Sequence, residues 1–307
     1  MRIDVIVPVY EPTDKLKRVI QSLQRQTLKP EHIWLLHTED GVDLSWTNNI
    51  DGQVPVREIM VKKADFDHGG TRDMGIRLSD ADVVILLTQD AIPAGSDLFE
   101  KMTKPLAEER VAVSYARQIP GDECDMIERY TRMFNYPKVS RRKTMADIET
   151  LGIKTYFCSD VCSAYRKDVY IQLGGFEKKI IFNEDMVYAA KAIHNGYEIA
   201  YEAEAAVIHS HNHSNIQLLK RNFDLGVSQK CYPEIFENVK SEAEGIRLVK
   251  ETAKYLLKKK RPFLIISLII RSGCKYIGYR LGKNYEKLPK VFIRILTKNP
   301  KYWEKMG

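Results

Sequence analysis

The sequence predicts an α/β protein, with a mostly parallel β-sheet flanked by helices and followed by a helical C-terminal extension. Short apolar, β-branched segments alternate with segments of helical spacing over the first two thirds of the chain. These segments are apolar throughout, as is typical of parallel strands covered on both faces. Beyond residue 215 only helical patterns remain. We therefore predict an α/β domain over residues 1–214 and a basic helical region over residues 215–307.

The individual elements follow from local patterns. Residues 3–9 read as a buried strand ending before Pro12, and Thr13 is a suitable N-cap for a helix that follows at once. Further strands are predicted at 32–37, 54–61, 82–88, 110–116 and within 197–209, and further helices near 71–78, over 184–195, from 216 onward and over 242–260. In such sheets ligands bind beyond the carboxyl ends of the strands, so site residues are expected there.

Composition narrows the class of protein. The chain has 307 residues, of which 44% are hydrophobic and 29% charged, which is typical of a globular protein. Five cysteines form no disulfide framework and suit a reducing cytoplasm. The N-terminus reads as a strand and not as a signal peptide. The longest apolar run, residues 263–270, is too short to span a bilayer as a helix.

Charge is distributed unevenly along the chain. The net charge is +7, but residues 215–307 hold 21 basic and 8 acidic side chains and carry +13, which leaves −6 for the rest. A basic run at 258–261 precedes the apolar run, and a basic, amphipathic, non-spanning segment suits an anionic membrane surface. The alternative is a helical cap that packs on the α/β domain or on a second copy in a homo-oligomer.

Polar residues follow the first and fourth predicted strands. The first strand ends with Pro8 and Val9, and Tyr10 and Glu11 follow, where a ring and a carboxylate can stack on a base and accept its N–H. After the fourth come Gln89 and Asp90. A carboxylate at the end of a buried strand needs a partner, and Mg²⁺ or Mn²⁺ on a diphosphate is a suitable one. The alternative is an ordinary turn aspartate.

Three more polar groups are candidates for chemistry. Asp65 and Arg72 lie in a polar segment, where Arg72 could clamp a phosphate at a helix start or belong to a solvated loop. Adjacent carboxylates at 184 and 185 begin a helix and offer either a general base or a complement to the helix dipole. The histidines at 209, 211 and 213 share one face if extended, and can complete a metal site or donate to phosphate.

Two nucleotide-binding motifs are absent from the sequence. Neither G-x-G-x-x-G after the first strand nor G-x-x-x-x-G-K-[ST] occurs, which argues against a dinucleotide enzyme and a P-loop NTPase. A nucleotidyltransferase would want a glycine-rich basic loop after the first strand, where the sequence is acidic. A non-catalytic membrane- or nucleic-acid-binding protein would explain the basic tail but not the polar clusters at successive strand ends.

Together these motifs resemble the family 2 glycosyltransferases, which have the GT-A nucleotide-diphospho-sugar transferase fold. The resemblance runs from about residue 3 to residue 213 and is carried by VIVPVYEP, TQDA, GGFEKKIIFNED and AAVIHSH in that order. Asp40 matches the acidic residue that holds the base, with Glu39 as the substitute. The first carboxylate of the family's Asp-x-Asp is Gln89 here, so Asp90 would carry the metal contact, with modest metal affinity or none.

A narrower resemblance is to bacterial rhamnosyltransferases, through FDHGGTRDMG, LLTQDAIP, FCSDVCSAYRKDVY and HSHNHS. It implies dTDP-L-rhamnose as donor and an acceptor in cell-surface polysaccharide synthesis; a UDP-sugar is the alternative donor. It also implies an inverting displacement with Asp185, in preference to Glu184, as the base. Metal at Asp90 with His209 and His211, and Arg72, would offset the leaving-group charge. With the basic tail, we expect a cytoplasmic enzyme, peripheral on the inner membrane face, with a lipid-linked acceptor and no nucleic-acid partner.

Overall fold

The computed structural model describes residues 1–237 and 242–304. Strands are numbered in chain order: β1 Ile3–Val9, β2 His32–Thr38, β3 Val56–Val61, β4 Val83–Leu87, β5 Ile92–Pro93, β6 Val111–Ile119, β7 Arg141–Lys143, β8 Cys162–Arg166 and β9 Glu198–Ile208. The helices are α1 Asp14–Gln24, α2 His68–Leu78, α3 Leu98–Thr103, α4 Met126–Asn135, α5 Ile148–Leu151, α6 Lys167–Gln172, α7 Glu184–His194, α8 Asn215–Cys231, α9 Pro233–Phe236, α10 Glu242–Lys258, α11 Leu264–Lys283, α12 Lys290–Leu296 and α13 Pro300–Glu304.

The strands form one mixed sheet in the order β3-β2-β1-β4-β8-β6-β9-β5, with β7 pairing β9. The first four strands are parallel, so their carboxyl ends meet at one edge. β8 then lies antiparallel between β4 and β6, and β9 returns parallel to β6. The predicted α/β class is confirmed. The second half of the sheet is more antiparallel than the sequence indicated, because the unpredicted strand β8 separates β4 from β6.

Both faces of the sheet are covered, as the apolar strands predicted. In β1, Ile6 packs in one buried cluster with Leu36 and Ile76, while its neighbours Val5 and Val7 pack in the other. The second cluster also contains the apolar stripe of α1, and the Thr13 side chain caps that helix by accepting from the Lys15 N–H. Burial on both faces fixes the register of β1 and therefore the position of the residues that follow it.

The C-terminal helices pack on the α/β part and do not form a separate core. α8 begins at Asn215, capped by Ser214, at the predicted boundary. Ile181 shares a buried cluster with Phe223 and Ile293, and Ile127 shares another with Leu256 and Leu268. Among the helices described, none is long and apolar enough to cross a membrane.

α8 and α11 approach each other unusually closely. A Cβ atom placed at Gly226, Gly278 or Gly282 would overlap a backbone oxygen of the facing helix. Only glycine permits such close contact, so the sequence of these two helices fixes where they cross. This crossing sets the position of every side chain that α11 carries.

A strap formed by residues 297–301 ties the end of the described chain back to its first half. The Asp224 carboxylate of α8 accepts hydrogen bonds from the Thr297 hydroxyl (2.6 Å) and the Lys298 backbone N–H (2.9 Å). Asn299 donates to the Ile181 carbonyl at 3.3 Å, and the Lys301 ammonium donates to the Lys63 carbonyl at 2.6 Å. The strap therefore braces two loops that flank the sheet edge described next.

Candidate active site

The ends of β1 and β4 are joined by a side chain. The Gln89 oxygen accepts the Tyr10 backbone N–H at 3.0 Å, and the Gln89 amide donates to the Tyr10 carbonyl at 2.8 Å. Tyr10 and Gln89, two predicted nucleotide-sugar residues, thus lie side by side, with Pro8 part-exposed in β1 and Glu11 exposed beyond it. Glu11 has φ +46°, a left-handed conformation of the kind that concentrates at binding sites.

Asp40 anchors the loop after β2. Its Oδ1 accepts the Val42 N–H at 2.9 Å and lies 2.9 Å from His37 Nε2, while Oδ2 accepts the Glu11 N–H at 2.5 Å. A carboxylate oxygen accepts two bonds, so Oδ2 keeps one acceptor position, the one that binding a base would require. Burial alone would raise the pKa of Asp40, but the hydrogen bonds from Val42, Glu11 and His37 lower it.

His37 contacts Asp40 and connects it to a second carboxylate. Its Nδ1 lies 2.6 Å from Glu58 Oε1, so the buried imidazole bridges two carboxylates. Burial lowers the pKa of His37, but the hydrogen bonds to Glu58 and Asp40 outweigh it and the pKa is raised. The ring thus holds the predicted base-binding aspartate in place through a contact at each of its two nitrogens.

The residues of the polar segment before α2 have different surroundings. Lys63 lies with its ammonium 5.1 Å from the centre of the Tyr10 ring, so it covers one side of that ring. Asp65 is exposed, and the structure brings it to no other predicted site residue. Asp67 caps α2 by accepting the Gly70 N–H at 2.6 Å.

Asp90 and two histidines converge after β4 and β9. Asp90 Oδ2 lies 3.2 Å from His211 Nε2, Asp90 Oδ1 lies 3.5 Å from His209 Nε2, and the two Nε2 atoms are 3.0 Å apart. Burial alone would raise the pKa of Asp90, but the hydrogen bond from His209 and the charges of both imidazoles lower it. His213 stacks on His211, with ring centres 5.3 Å apart, but lies outside the cluster of three ligand atoms.

These three residues fit a divalent cation. Ligand atoms about 2.1 Å from an octahedral ion lie roughly 3 Å from one another, which matches the separations here. His209 Nδ1 lies 3.1 Å from the Gln118 amide oxygen, so it donates there and leaves the lone pair of Nε2 for a ligand. The carboxylate suits Mg²⁺ or Mn²⁺, and the two imidazoles favour Mn²⁺, the softer of these two ions.

Arg72 lies among carboxylates at the start of α7. Its Nη1 is 3.1 Å from Glu184 Oε1 and its Nε is 3.8 Å from Asp160 Oδ2. The guanidinium is buried and also donates to the His68 carbonyl at 2.9 Å. The structure pairs the Arg72 guanidinium with two buried carboxylates. Its contact with a phosphate therefore stays a prediction.

Asp185 is the third carboxylate of this group. Its Oδ1 accepts the Met186 N–H at 2.7 Å and its Oδ2 accepts the Asp160 N–H at 3.3 Å. Burial and then the charges of Asp160 and Glu184 raise its pKa well above the usual value. Asp185 keeps part of its surface open to solvent, whereas Glu184 is buried against Arg72. A part-exposed carboxylate of raised basicity is suited to take a proton.

Two site residues were missed by the sequence interpretation. Asp160 precedes β8; burial raises its pKa to about 6, and its Oδ1 accepts from Ser163 and Tyr165 at 2.6 Å each. Gln118, in β6, connects His209 to Arg132 and Ser159. The only local signal for either was a polar residue within an otherwise apolar segment.

Two surface grooves lie near the sheet. One of about 590 Å³ lies at the opposite edge, near the amino ends of β1 and β4, away from all the residues above. One of about 330 Å³ adjoins Glu11 and the loop after Asp40, and is lined by Pro12, Thr13, Asp14, Lys17, Val42, Leu44 and Trp46. The second groove extends the site on the side of Asp40.

Comparison with known sequences gives one family and two near full-length relatives. The model of the family "Glycosyl transferase family 2" matches residues 4–174. An O-antigen chain rhamnosyltransferase of Salmonella typhimurium is 36% identical over 312 residues, covering 99% of this chain and 96% of the relative. A second, from Salmonella anatum, is 35% identical over 302 residues, covering 97% and 95%.

Comparison with solved structures gives the same architecture at low sequence identity. A mannosyltransferase from Pyrobaculum calidifontis, in complex with GDP-mannose and Mn²⁺, has a TM-score of 0.54 at 12% identity and covers 99% of this chain and 86% of its own. Residues 1–349 of TarS from S. aureus, in complex with UDP-GlcNAc, give 0.52 at 12% identity and cover 94% and 92%.

Proposed function

Since this chain belongs to glycosyl transferase family 2, we propose that it moves L-rhamnose from dTDP-L-rhamnose to a saccharide acceptor in cell-surface polysaccharide synthesis. The chain is a glycosyltransferase, and the predicted GT-A fold is confirmed. The observation that carries the choice of rhamnose is the near full-length similarity to two O-antigen rhamnosyltransferases. Membership of an enzyme family removes the alternative of a non-catalytic binding protein.

The nucleotide of the donor belongs at the ends of β1 and β2. There Tyr10 offers a ring, Asp40 keeps one carboxylate acceptor position, and the adjoining groove provides space. The thymine N3–H is a donor that a carboxylate can accept. The uracil N3–H is equivalent, so the geometry supports a pyrimidine and the choice of dTDP rests on the relatives.

The diphosphate belongs near Asp90, His209 and His211, which would hold Mg²⁺ or Mn²⁺. When bound, the ion would offset the negative charge that grows on the leaving diphosphate. Gln118 keeps the His209 ring in the orientation that directs its Nε2 at Asp90. Only one of the three ligands is a carboxylate, so we expect modest metal affinity.

Asp185 is the proposed base. The acceptor hydroxyl oxygen bonds to the anomeric carbon, the bond from that carbon to the diphosphate oxygen breaks, and the hydroxyl proton passes to the Asp185 carboxylate. The raised pKa makes Asp185 a stronger base than an exposed aspartate. Because the base acts unprotonated, the rate should fall as the pH drops through this raised pKa.

Arg72 supports the base through its neighbours, beside its predicted contact with a phosphate. Its guanidinium pairs with Glu184 and Asp160, two carboxylates that lie beside Asp185. Their charges in turn raise the pKa of Asp185. Arg72 therefore supports the proton transfer through its neighbours.

The acceptor is proposed to be a lipid-linked saccharide at the cytoplasmic face of the membrane. Phe263, just before α11, is 86% exposed, and Ile266 and Ile269 continue this row of large apolar side chains on α11 with 64% and 62% exposed. The exposed basic run 258–261 directly precedes this row. An apolar face next to four cations fits a bilayer that contains anionic lipids.

A transfer assay with two variants tests the reaction and the base. We expect the wild-type protein to consume dTDP-L-rhamnose in the presence of Mg²⁺ or Mn²⁺ and a lipid-linked acceptor. Asp185→Asn should lower kcat by about 10²–10⁴-fold while dTDP affinity stays within about twofold. Glu184→Gln is the matched control and should lose less, since it removes only a partner of Arg72.

Other results of this assay would redirect the proposal. A larger loss in Glu184→Gln than in Asp185→Asn would make Glu184 the base. Turnover of a UDP-sugar in place of dTDP-L-rhamnose would keep the family and change the donor. Near-normal transfer by a folded Asp185→Asn variant would remove Asp185 from the mechanism.

A further inference from the structure

The backbone just before the proposed base has an unusual conformation. Asn183, two residues before Asp185, has φ +67°, in the left-handed region that asparagine tolerates better than most residues. Its side chain does not cap α7, and its buried amide nitrogen has no hydrogen-bond partner in the part of the chain that the structure describes. The turn into α7 is thus not held by a side-chain cap of its own, and contacts from other elements fix where Asp185 lies.

Two side chains of the C-terminal region bind the carbonyls that lead into this turn. The Ser228 hydroxyl of α8 donates to the Phe182 carbonyl at 2.5 Å, and the Asn299 amide of the strap donates to the Ile181 carbonyl at 3.3 Å. Ser228 is fully buried, and the Ile181 side chain packs in a buried cluster with residues of α8 and α12. Two successive peptide carbonyls before the base are therefore held from the C-terminal region.

Asp224 of α8 orients the Asn299 amide. Its Oδ2 accepts from the same Asn299 nitrogen at 3.1 Å, so the two hydrogens of this amide reach Asp224 and Ile181, one each. Asp224 is 1% exposed and also accepts from the Thr297 hydroxyl at 2.6 Å and the Lys298 N–H at 2.9 Å. A buried carboxylate is costly unless it is hydrogen-bonded, and all three of these donors belong to the strap. The carboxylate therefore holds the strap against the segment before the base.

We propose that Ser228 and Asn299 are positioning residues for the proton transfer. They hold the backbone of residues 181–183 so that Asp185 meets the acceptor hydroxyl. This inference rests on the proposed function, because it takes Asp185 as the base. From the other side the base is held by the α/β part, where its Oδ2 accepts the Asp160 N–H at 3.3 Å. The C-terminal region thus completes the active site, and a displacement of the base by about 1 Å is enough to lower the rate about 10²-fold.

A double variant of the full-length protein tests this role. Ser228→Ala/Asn299→Ala removes both donors and leaves Asp185 itself unchanged. We expect kcat to fall by about 10–100-fold while KM for dTDP-L-rhamnose stays within about twofold, since no residue assigned to the donor is altered. The acid limb of the kcat profile should move to lower pH. A less firmly held Asp185 is more hydrated and lies less close to the charges of Asp160 and Glu184, and both burial and these charges raise its pKa.

Three further variants separate positioning from a general loss of stability. Asn222→Ala is the matched control: it removes an amide that donates to the Leu218 carbonyl of α8 itself at 2.7 Å, and it should keep the wild-type kcat and pH profile. Asp224→Asn keeps a carbonyl oxygen that can accept from the Asn299 amide, and should retain most of the rate. Ser228→Ala alone, the milder change, should show the same effects as the double variant in smaller measure.

Hydrogen exchange over residues 181–187 gives a measurement that needs no sugar donor. It should be faster in the double variant and unchanged in Asn222→Ala. The proposal is overturned if the folded double variant keeps the wild-type kcat or the wild-type exchange, if its kcat falls with an unmoved acid limb, or if Asn222→Ala loses as much. A wild-type protein that transfers no sugar would count against the proposed function, and the exchange would still decide whether Ser228 and Asn299 hold this segment.

Discussion

The Gln89 side chain makes two hydrogen bonds that a carboxylate could not both make. Its oxygen accepts from the Tyr10 N–H and its amide nitrogen donates to the Tyr10 carbonyl. An aspartate at this position has no donor for the carbonyl. The departure from the family's Asp-x-Asp is therefore explained by a latch between two strand ends, which leaves Asp90 as the carboxylate of the cluster that it forms with His209 and His211.

The variant Gln89→Asp tests whether the latch, and not merely the loss of a metal ligand, explains the glutamine at this position. We expect the variant to unfold at lower temperature and to bind dTDP more weakly, since an unpaired buried carbonyl costs about 1–3 kcal/mol. Thermal unfolding and calorimetry with dTDP and Mn²⁺ measure this. Asp90→Asn is the matched control, and its binding of dTDP should no longer depend on Mn²⁺. Tighter Mn²⁺ binding by Gln89→Asp would show that the latch is not the reason for glutamine.

The sequence interpretation anticipated which side chains meet where their meeting follows from position on one strand or loop. Asp90 follows a buried strand, and His209 and His211 alternate along the chain, so their convergence could be expected from local geometry. Asp160 could not be found in this way. Its contact with Arg72 depends on β8 entering the sheet beside β4, a pairing that no local pattern contains.

At the scale of elements, the crossing of α8 and α11 determines what the C-terminal region can present. The three glycines hold the two helices in backbone contact. One side of α11 is thereby committed to α8, and the exposed isoleucines take other sides. The membrane proposal depends on this orientation.

Two alanine substitutions on α11 test the crossing. Gly278→Ala should destabilise the fold by about 1–3 kcal/mol, because its Cβ would overlap the Leu219 carbonyl and the helices would have to separate. Gly273→Ala on the same helix meets nothing within 4 Å and should be neutral or stabilising by up to about 1 kcal/mol. Urea unfolding measures both. Equal stability of the two variants would contradict the close crossing.

The helices and strands can be predicted from the sequence where the hydrophobic pattern and the length of a segment indicate the same element. β1, β4 and α7 fall within a residue or two of the predicted bounds, and α1 begins directly after its predicted cap Thr13. The sequence pattern predicts no helix or strand over residues 120–180. This segment holds α4 and β8, whose sequences mix polar and apolar residues and become ordered through contacts with distant parts of the chain.

At the scale of the whole molecule, the uneven charge has a structural counterpart. The basic run 258–261 and the apolar row of α11 lie next to each other along the chain and are exposed. Each cation contributes about 1 kcal/mol at an anionic surface, so the run by itself gives a substantial attraction. The predicted alternative, that the tail packs on the α/β domain, also holds, since α10 and α11 share a buried cluster with Ile127.

Liposome flotation tests the membrane contact. We expect the protein to float with vesicles containing phosphatidylglycerol and less with phosphatidylcholine alone. Ile266→Gln/Ile269→Gln should lose most of this binding. Val139→Gln/Ile216→Gln, at exposed apolar positions elsewhere, is the matched control. Unchanged flotation of the first variant, or a change from dimer to monomer on sedimentation, would assign the apolar row to a second copy of the chain.

The strap of residues 297–301 has a consequence for the folding of the protein during its synthesis. Lys301 braces the Lys63 carbonyl across 238 positions of sequence, and the Lys63 ammonium covers the Tyr10 ring. On the ribosome the α/β part emerges and begins to fold long before the strap has been translated. A nascent chain therefore carries an unbraced loop beside Tyr10 until residues 297–301 have left the ribosome.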